Sequence, residues 1–254
     1  MFDFLKFKKN PEPIFQNLGT DMHCHLIPGV DDGSKSLEET LHCLRVMQQV
    51  GYSKVYITPH FQFPRFQNKE DDIKHRFENL KQEVAKCEDL HIELMGIGGE
   101  YRIDDSFANR MAQPQFLTVG GGNPQGEKTT YLLLELSLHQ QMFGVEEQIF
   151  EAQTKGYEVI LAHPERYPYL SGNATRLETL KNQGVLFQLN VLSLSGFYGR
   201  AAMEKGFELL HNGWVELLGT DMHNTVYASA LLDASRNHKI KKVLETHTFL
   251  NSKL

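Results

Sequence analysis

The stretch "GTDMHCHLIPGVDDGS" (residues 19–34) puts two histidines two positions apart at the end of a short apolar run, and "LGTDMHN" (residues 218–224) repeats five of its letters near the other end of the chain. Side chains two apart on a strand point the same way. His23 with His25, and Asp221 with His223, are therefore two ready-made pairs of ligating groups. Between the two phrases, apolar runs alternate with amphipathic stretches, the pattern of strands and helices around a parallel sheet. After the first phrase, Ser36 and Glu39 form a capping box, and Leu37, Leu41, Leu44, Met47 and Val50 form one helical stripe that Gly51 ends. "KVYITPH" reads as a strand stopped by Pro59, residues 70–89 as a helix, and "HIELMGIGGEY" as the next strand.

Further along, "TTYLLLELS", "YEVILAHP", "VLFQLNVLSL" and "WVELLGTDMHN" read as strands, and "EEQIFEAQTKG", "ATRLETLKNQG" and "AAMEKGFELLHNG" as helices. Residues 104–129 lack regular periodicity and are expected to hold a short strand and a mobile loop. Their glycines match neither a phosphate-cradling nor a dinucleotide-binding motif. The expected architecture is an α/β fold around a parallel sheet with no domain linker, residues 18–254 preceded by an arm over residues 1–17.

Composition narrows the function. With 254 residues, 41% of them hydrophobic, and a formal net charge of −6, the chain can bury a full core and offers no basic footprint for nucleic acid. Cys24, Cys43 and Cys87 lack metal-ribbon or redox spacing and are expected to be reduced, which points to the cytoplasm. No apolar stretch reaches the roughly 20 residues of a membrane span, so stable insertion is not expected. The arm "MFDFLKFKKNPEP" interleaves phenylalanines with lysines and is expected to pack on its own domain.

His23, His25, His60, Glu100, Glu135, His163, Asp221 and His223 all stand at the ends of the expected strands. In a parallel barrel those ends converge on one face. Imidazole with carboxylate and no thiolate is the donor set of hydrolytic Zn²⁺, Mn²⁺ or Fe sites. Any one of these residues has an ordinary structural explanation; their joint placement is the signal. His42, His75, His91, His139, His211, His238 and His247 fall in helices, helix ends or loops and are assigned no role.

"DMHCH", "GVDDGSKSLEE", "ITPHF", "GGEY", "LLLEL", "AHPERY" and "GTDMHN" together resemble, in order and spacing, the polymerase and histidinol phosphatase (PHP) superfamily. Within it the chain looks most like the bacterial capsule and exopolysaccharide tyrosine-protein phosphatases. The resemblance implies a single-domain, distorted TIM-like (β/α)7 or (β/α)8 barrel with a trinuclear centre, usually manganese-dependent, with Fe or Zn²⁺ as alternatives. Position by position it implies one ion on His23, His25, Glu100 and Asp221, with Glu100 bridging to a second on Glu135 and His163. The third falls to Asp32, His60 and His223, with Asp31 the alternative to Asp32.

Arg166 becomes the phosphate clamp, a planar fork suited to oxyanions. The second arginine that the family often carries after its DxHN motif is missing from "DMHNTVYASALL", leaving Arg65 or Arg102 as substitutes. Phe61, Phe63, Phe66 and Tyr101 are either walls of an aromatic-accepting pocket or core. Cys24 faces away from the histidines and is expected in the core. Chemistry through an activated water suits such a centre and requires no phosphoenzyme. The implied substrate is a phosphotyrosine protein, a bacterial tyrosine kinase that controls polysaccharide export. The alternatives are a small-molecule phosphatase such as one for histidinol phosphate, a metal-stabilised regulatory module, and, least, a DNA exonuclease.

Overall fold

The computed structural model describes residues 12–112, 115–120, 130–170 and 174–254. Its strands are β1 (Thr20–Asp21), β2 (Lys54–Ile57), β3 (His60–Phe61), β4 (Glu93–Ile97), β5 (Glu100–Arg102), β6 (Tyr131–Glu135), β7 (Glu158–Ala162), β8 (Leu186–Asn190) and β9 (Leu217–Gly219). All their pairings are parallel, in two sheets ordered β1-β2-β4 and β3-β5-β6-β7-β8-β9. The division is local. Thr58-Pro59 interrupts one strand between β2 and β3, and Gly98-Gly99 interrupts its neighbour between β4 and β5. The amides of Gly98 and Glu100 still reach the carbonyls of Ile57 and Pro59 across the break, at 2.9 and 3.0 Å.

Seven strand positions thus form a ring, and its last seam runs between residues 20–25 and 217–223. At the top, Asp221 N–H donates to His23 O and His25 N–H to Met222 O, each at 2.8 Å, around a parallel bridge from Cys24 to Met222. Lower down, side chains take over from the backbone ladder. Asp21 accepts from Thr220 N–H and Thr220 Oγ1, both at 2.8 Å. Asn251, fully buried, donates to Thr20 O and Leu218 O and accepts from Leu218 N–H. The seam is closed by few hydrogen bonds, and each is buried where loss of a partner is expensive.

Helices α1 (Leu37–Gln49), α2 (Glu70–Val84), α3 (Phe107–Ala112), α4 (Val145–Thr154), α5 (Ala174–Asn182), α6 (Val191–Leu194), α7 (Arg200–His211), α8 (Thr225–Ala234) and α9 (His238–Thr246) accompany the strands. The α1 stripe behaves as expected, with Leu44, Met47 and Val50 buried and Leu37 and Leu41 packed at the edge of the core. Ser36 Oγ accepts from Glu39 N–H, whereas the Glu39 carboxylate accepts from Lys35 N–H, one residue before the position a regular capping box uses. Met22, Tyr56, Leu133, Ile160 and Leu217, each from a different strand, cluster among the strands; the larger apolar core lies between strands and helices. Glu135 follows Leu133 by two residues, and Gln188 and Asn190 follow Leu186 by two and four. Polar side chains therefore continue the inward rows above the apolar layer.

Two expectations need correction. "VLFQLNVLSL" is not one strand: it leaves the sheet at Asn190 and turns into α6, because the buried Glu165 carboxylate accepts from Asn190 N–H and Ser193 Oγ and draws the backbone round. The segment from residue 104 contains α3, whose Phe107 and Met111 are buried, and the expected short strand reduces to a single antiparallel bridge between Val119 and Tyr131. The loop expected over 121–129 and most of the N-terminal arm lie outside the described residues. The arm's described end packs: Phe15 is buried and stacks on Tyr52, ring centroids 5.0 Å apart.

Burial pushes the Asp21 carboxyl up to about 7, against the opposing pull of its bonds from Thr220. An acid whose pKa is higher in the folded state binds more protons there, so stability falls as pH rises from the unfolded value toward 7. Asp21→Asn keeps an acceptor for Thr220 N–H and removes that dependence. Urea midpoints of variant and wild type should therefore be close at pH 5 and diverge in the variant's favour by pH 8. A wild-type advantage that grows with pH would reverse this account of the seam.

Candidate metal centre

His23, His25, His60, Glu100, Glu135, His163, Asp221 and His223 all meet at the C-terminal mouth of the strand ring, joined by Asp32 from the loop after the first strand. The His23 and His25 Nε2 atoms are 3.2 Å apart, and each lies 3.4 Å from Glu100 Oε2. Asp221 Oδ1 is 3.6 and 3.3 Å from the same two nitrogens. Glu100 Oε1 meets His163 Nε2 at 3.0 Å, and Glu100 Oε2 meets His60 Nδ1 at 2.9 Å. Asp32 Oδ1 stands 3.4 Å from His60 Nε2 and 3.7 Å from His223 Nε2. Glu135 is the outlying member, 3.9 Å from His60.

Three triads have donor atoms close enough to share one cation: His23, His25 and Glu100; His60, Glu100 and Glu135; and His25, His60 and His223. The first lies within the set the resemblance implies for one ion. The second places His60 where His163 was expected, and the third adds His25 to the expected His60 and His223. Fit to cations rests on a further observation. His60 Nδ1 and Glu100 Oε2 face each other only as an ion pair, and together with Asp32 Oδ1 and His163 Nδ1 they are buried without a well-directed hydrogen bond. Leaving four such atoms in one place is costly unless something positively charged completes them.

Backbone strain collects here as well. His163 at φ 35° and Asp221 at φ 52° are the two non-glycine residues with positive φ among the described residues. Such conformations cost of order 1–3 kcal/mol and persist where surrounding structure enforces them. His163 is enforced by Pro164 at the start of the turn Pro164–Arg166 and by its N–H bond to Gln188 O at 2.7 Å.

Supporting residues separate the two neighbouring aspartates. Asp31 Oδ2 accepts from His60 N–H and faces His25 Nδ1, each at 3.0 Å, while Oδ1 accepts from Gly33 N–H. Asp31 is thereby spent on orienting His25, and Asp32 is the one with an oxygen in the cluster. Gly33 is obligatory for close approach, since a Cβ there would lie 2.1 Å from His25 O. Gln188 Oε1 meets His23 Nδ1 at 2.7 Å, and Asn190 Nδ2 donates to Asp221 Oδ2 at 2.8 Å. Neither was singled out from sequence. Their signal was there: two polar residues at i and i+2 inside the apolar run "LFQLN".

The cavity above the cluster holds about 200 Å³ and is lined by Arg65, Arg102 and Arg166 as well as Asn224 and Tyr227. Each arginine grips a different carboxylate. Arg166 Nη1 donates to Asp221 Oδ2 at 2.9 Å, Arg102 Nε donates to Glu135 Oε2 at 3.1 Å with Nη2 paired to the same oxygen at 3.0 Å, and Arg65 Nη2 donates to Asp32 Oδ2 at 3.1 Å. Arg166 also lies 4.2 Å over the Tyr198 ring. Of the four aromatics in question, Phe61 and Tyr101 are core and stack on each other; Phe66 stacks on His60, and Phe63 is exposed. Cys24 is buried with its thiol on Tyr56 O, and burial pushes that thiol well up, so it is no nucleophile.

A parallel strand ring carrying a His/Asp/Glu cluster at its C-terminal mouth defines a metallohydrolase of the TIM-barrel type. A solved structure that agrees with this fold comes from work on YwqE of Bacillus subtilis and CpsB of Streptococcus pneumoniae, described as metal-dependent tyrosine phosphatases. It matches 91% of this chain and 96% of its own at a TM-score of 0.72 and 23% identity. A phosphotriesterase homology protein from Escherichia coli shares the fold more loosely, at a TM-score of 0.53 and 14% identity over 92% and 93% of the chains. Residues 19–249 match the family described as capsular polysaccharide synthesis, CpsB/CapC, and the chain belongs to that family. Among relatives, the tyrosine-protein phosphatase YwqE of Bacillus subtilis is 26% identical over 80% of this chain and 77% of its own. CpsB of Streptococcus agalactiae is 25% identical over 80% and 82%.

The charges of the cluster set how it takes up cations. Burial alone would lower the His23 pKa, but the Glu100 and Asp221 carboxylates outweigh it and hold it up at about 8; His25 is raised too, against burial, by Asp221 and Asp31. His223 is the opposite case, down to about 4 through burial and the charge of His25. A ligating imidazole must be neutral, so protons compete with cations below about pH 8. Mn²⁺ affinity should therefore strengthen from pH 6 to pH 8, with protons released on binding. Titration calorimetry in buffers of different ionisation enthalpy measures both, and a pH-independent affinity without proton release would contradict this charge arrangement.

Proposed function

We propose that this protein is a phosphoric monoester hydrolase that removes phosphate from tyrosine in a protein, its partner being a bacterial tyrosine kinase that controls polysaccharide export. The observation that carries the reading is the conjunction of a His/carboxylate cluster with unpartnered buried atoms and three arginines around one small cavity. Membership of a family whose relatives are tyrosine-protein phosphatases supports it. The free cysteines and the absence, among the described residues, of a helix long and apolar enough to cross a membrane agree with a cytoplasmic setting.

In this reading His23, His25, Glu100 and Asp221 hold one divalent ion, Glu100, Glu135 and His163 a second, and Asp32, His60 and His223 a third, with Mn²⁺ the expected metal. Such ions neutralise phosphoryl oxygens and lower the pKa of water toward neutrality. The chain's own part is binding and alignment. Asp31 and Gln188 fix the planes of His25 and His23, so the donor atoms need no reorganisation when substrate arrives. Arg166, steadied by Asp221 and Tyr198, presents a planar fork to the phosphoryl oxygens. Arg102, which lines the same cavity, supplies a second fork. Its side chain is 15% exposed and anchored on Glu135, against 61% for Arg65, so it is already ordered at the site.

Mn²⁺-loaded protein is expected to hydrolyse p-nitrophenyl phosphate and phosphotyrosine peptides and to lose activity in chelator. His23→Ala combined with His223→Ala should abolish turnover; retained activity would remove the site assignment. Arg166→Ala should lower kcat/KM by roughly 10²-fold and Arg102→Ala by about tenfold, the scale of losing one charge-assisted contact to a developing oxyanion. Faster hydrolysis of sugar or amino-alcohol phosphates than of a phosphotyrosine peptide would favour a small-molecule substrate instead.

A further inference from the structure

Beside the metal cavity lies a second, larger one of about 390 Å³, which the chemistry above leaves unused. Leu138 and Arg166 line both, so the two are neighbours across the Arg166 side chain. Its remaining walls are mostly apolar: Pro168, Tyr198, and Ala201 and Ala202 from the first turn of α7. Two alanines side by side at the helix start leave room that larger residues would fill. Glu165, the acidic member of the wall, is buried, with one oxygen engaged by Asn190 N–H and Ser193 Oγ. Tyr198 of this wall meets the Phe197 ring at 5.0 Å and the Tyr227 ring at 6.3 Å, contacts that carry the apolar border out to the exposed Phe197.

We infer that this second cavity is a subsite for the substrate peptide, receiving a large apolar side chain that flanks the phosphotyrosine in sequence. The occupant follows from continuity with the metal cavity. With the phosphoryl group held by Arg166, the tyrosine ring stands the peptide backbone off from the phosphate. Successive side chains of an extended chain point to opposite faces, so the residue two positions away, about 7 Å along, shares the phosphotyrosine's face and is the one that meets the apolar recess next to that arginine. A small metabolite has nothing to place there; a peptide has. This inference rests on the phosphotyrosine reading above and gives it a sequence preference.

The test compares two peptides that differ only in having leucine or glycine two positions to either side of the phosphotyrosine, with p-nitrophenyl phosphate as a substrate that has no flanks. Wild-type Mn²⁺-loaded protein should favour the leucine peptide at least tenfold in kcat/KM, mainly through KM. Ala201→Phe, at an exposed position that the fold does not depend on, should erase that advantage while p-nitrophenyl phosphate turnover stays within twofold. Equal rates on the two peptides overturn the subsite, as does an Ala201→Phe variant that keeps the preference or that slows all three substrates alike. Failure on p-nitrophenyl phosphate and both peptides by the wild type would instead overturn the phosphatase reading.

Discussion

Two hydrogen bonds from Thr220 to the Asp21 carboxylate hold the first strand of the ring against the last, and everything at the mouth is arranged above them. Just beyond, the same two segments bond backbone to backbone and carry His23, His25, Asp221 and His223 upward into one cluster. If that seam were to slip by a residue, every side chain on one side of it would reverse its facing. The pairing of Thr220 with Asp21 removes that freedom, because a carboxylate and a threonine one register apart would each be buried without a partner. The cost of such a pair of unsatisfied groups, a few kcal/mol, is a large part of a typical domain's stability.

The seam also explains why one phrase is written twice. Gly19 is needed for its left-handed backbone at φ 72°, whereas Gly219 is needed for closeness: a Cβ there would fall 2.9 Å from His23 Cβ. Asp21 is a structural clasp, whereas Asp221 belongs to the cluster and adopts a strained conformation to reach it. Thr220 is the clasp's donor, while Thr20 offers a carbonyl to Asn251. Identical letters thus do complementary jobs, one copy meeting the other across the ring rather than repeating a module.

Much of this was legible in the sequence, because a parallel barrel writes its strands as apolar runs and its site as the polar residue that ends each run. His60, Glu100, Glu135 and His163 were readable on that ground alone. What could not be read is what depends on partners distant along the chain. Whether Asp31 or Asp32 faces the cluster turns on which way a loop is tethered by His60 N–H and Gly33. Gln188 and Asn190 looked like strand polarity until the structure set them beside His23 and Asp221. The turn at Val191 defeats periodicity, since an apolar run that would suit a strand is bent by a buried glutamate twenty-five residues earlier. Arg65 and Arg102 were visible as candidates, but their order of merit came from exposure and anchoring.

Asn251 has a meaning that reaches past the finished fold. Its amide completes the lower seam between Thr20 and Leu218, so the two ends of the barrel share a buried contact spanning 231 residues. During synthesis the first strand must wait, its hydrogen-bonding edge open, until the ninth strand and the residues after it have left the ribosome. His23 and His25, which follow that strand, wait with it. A chain stalled before residue 251 therefore presents His23 and His25 without Asp221 and His223 firmly beside them, and the edge of an unclosed parallel sheet is a surface that chaperones or aggregation can claim. Assembly of the cluster is thereby tied to synthesis of the segment that carries Asn251.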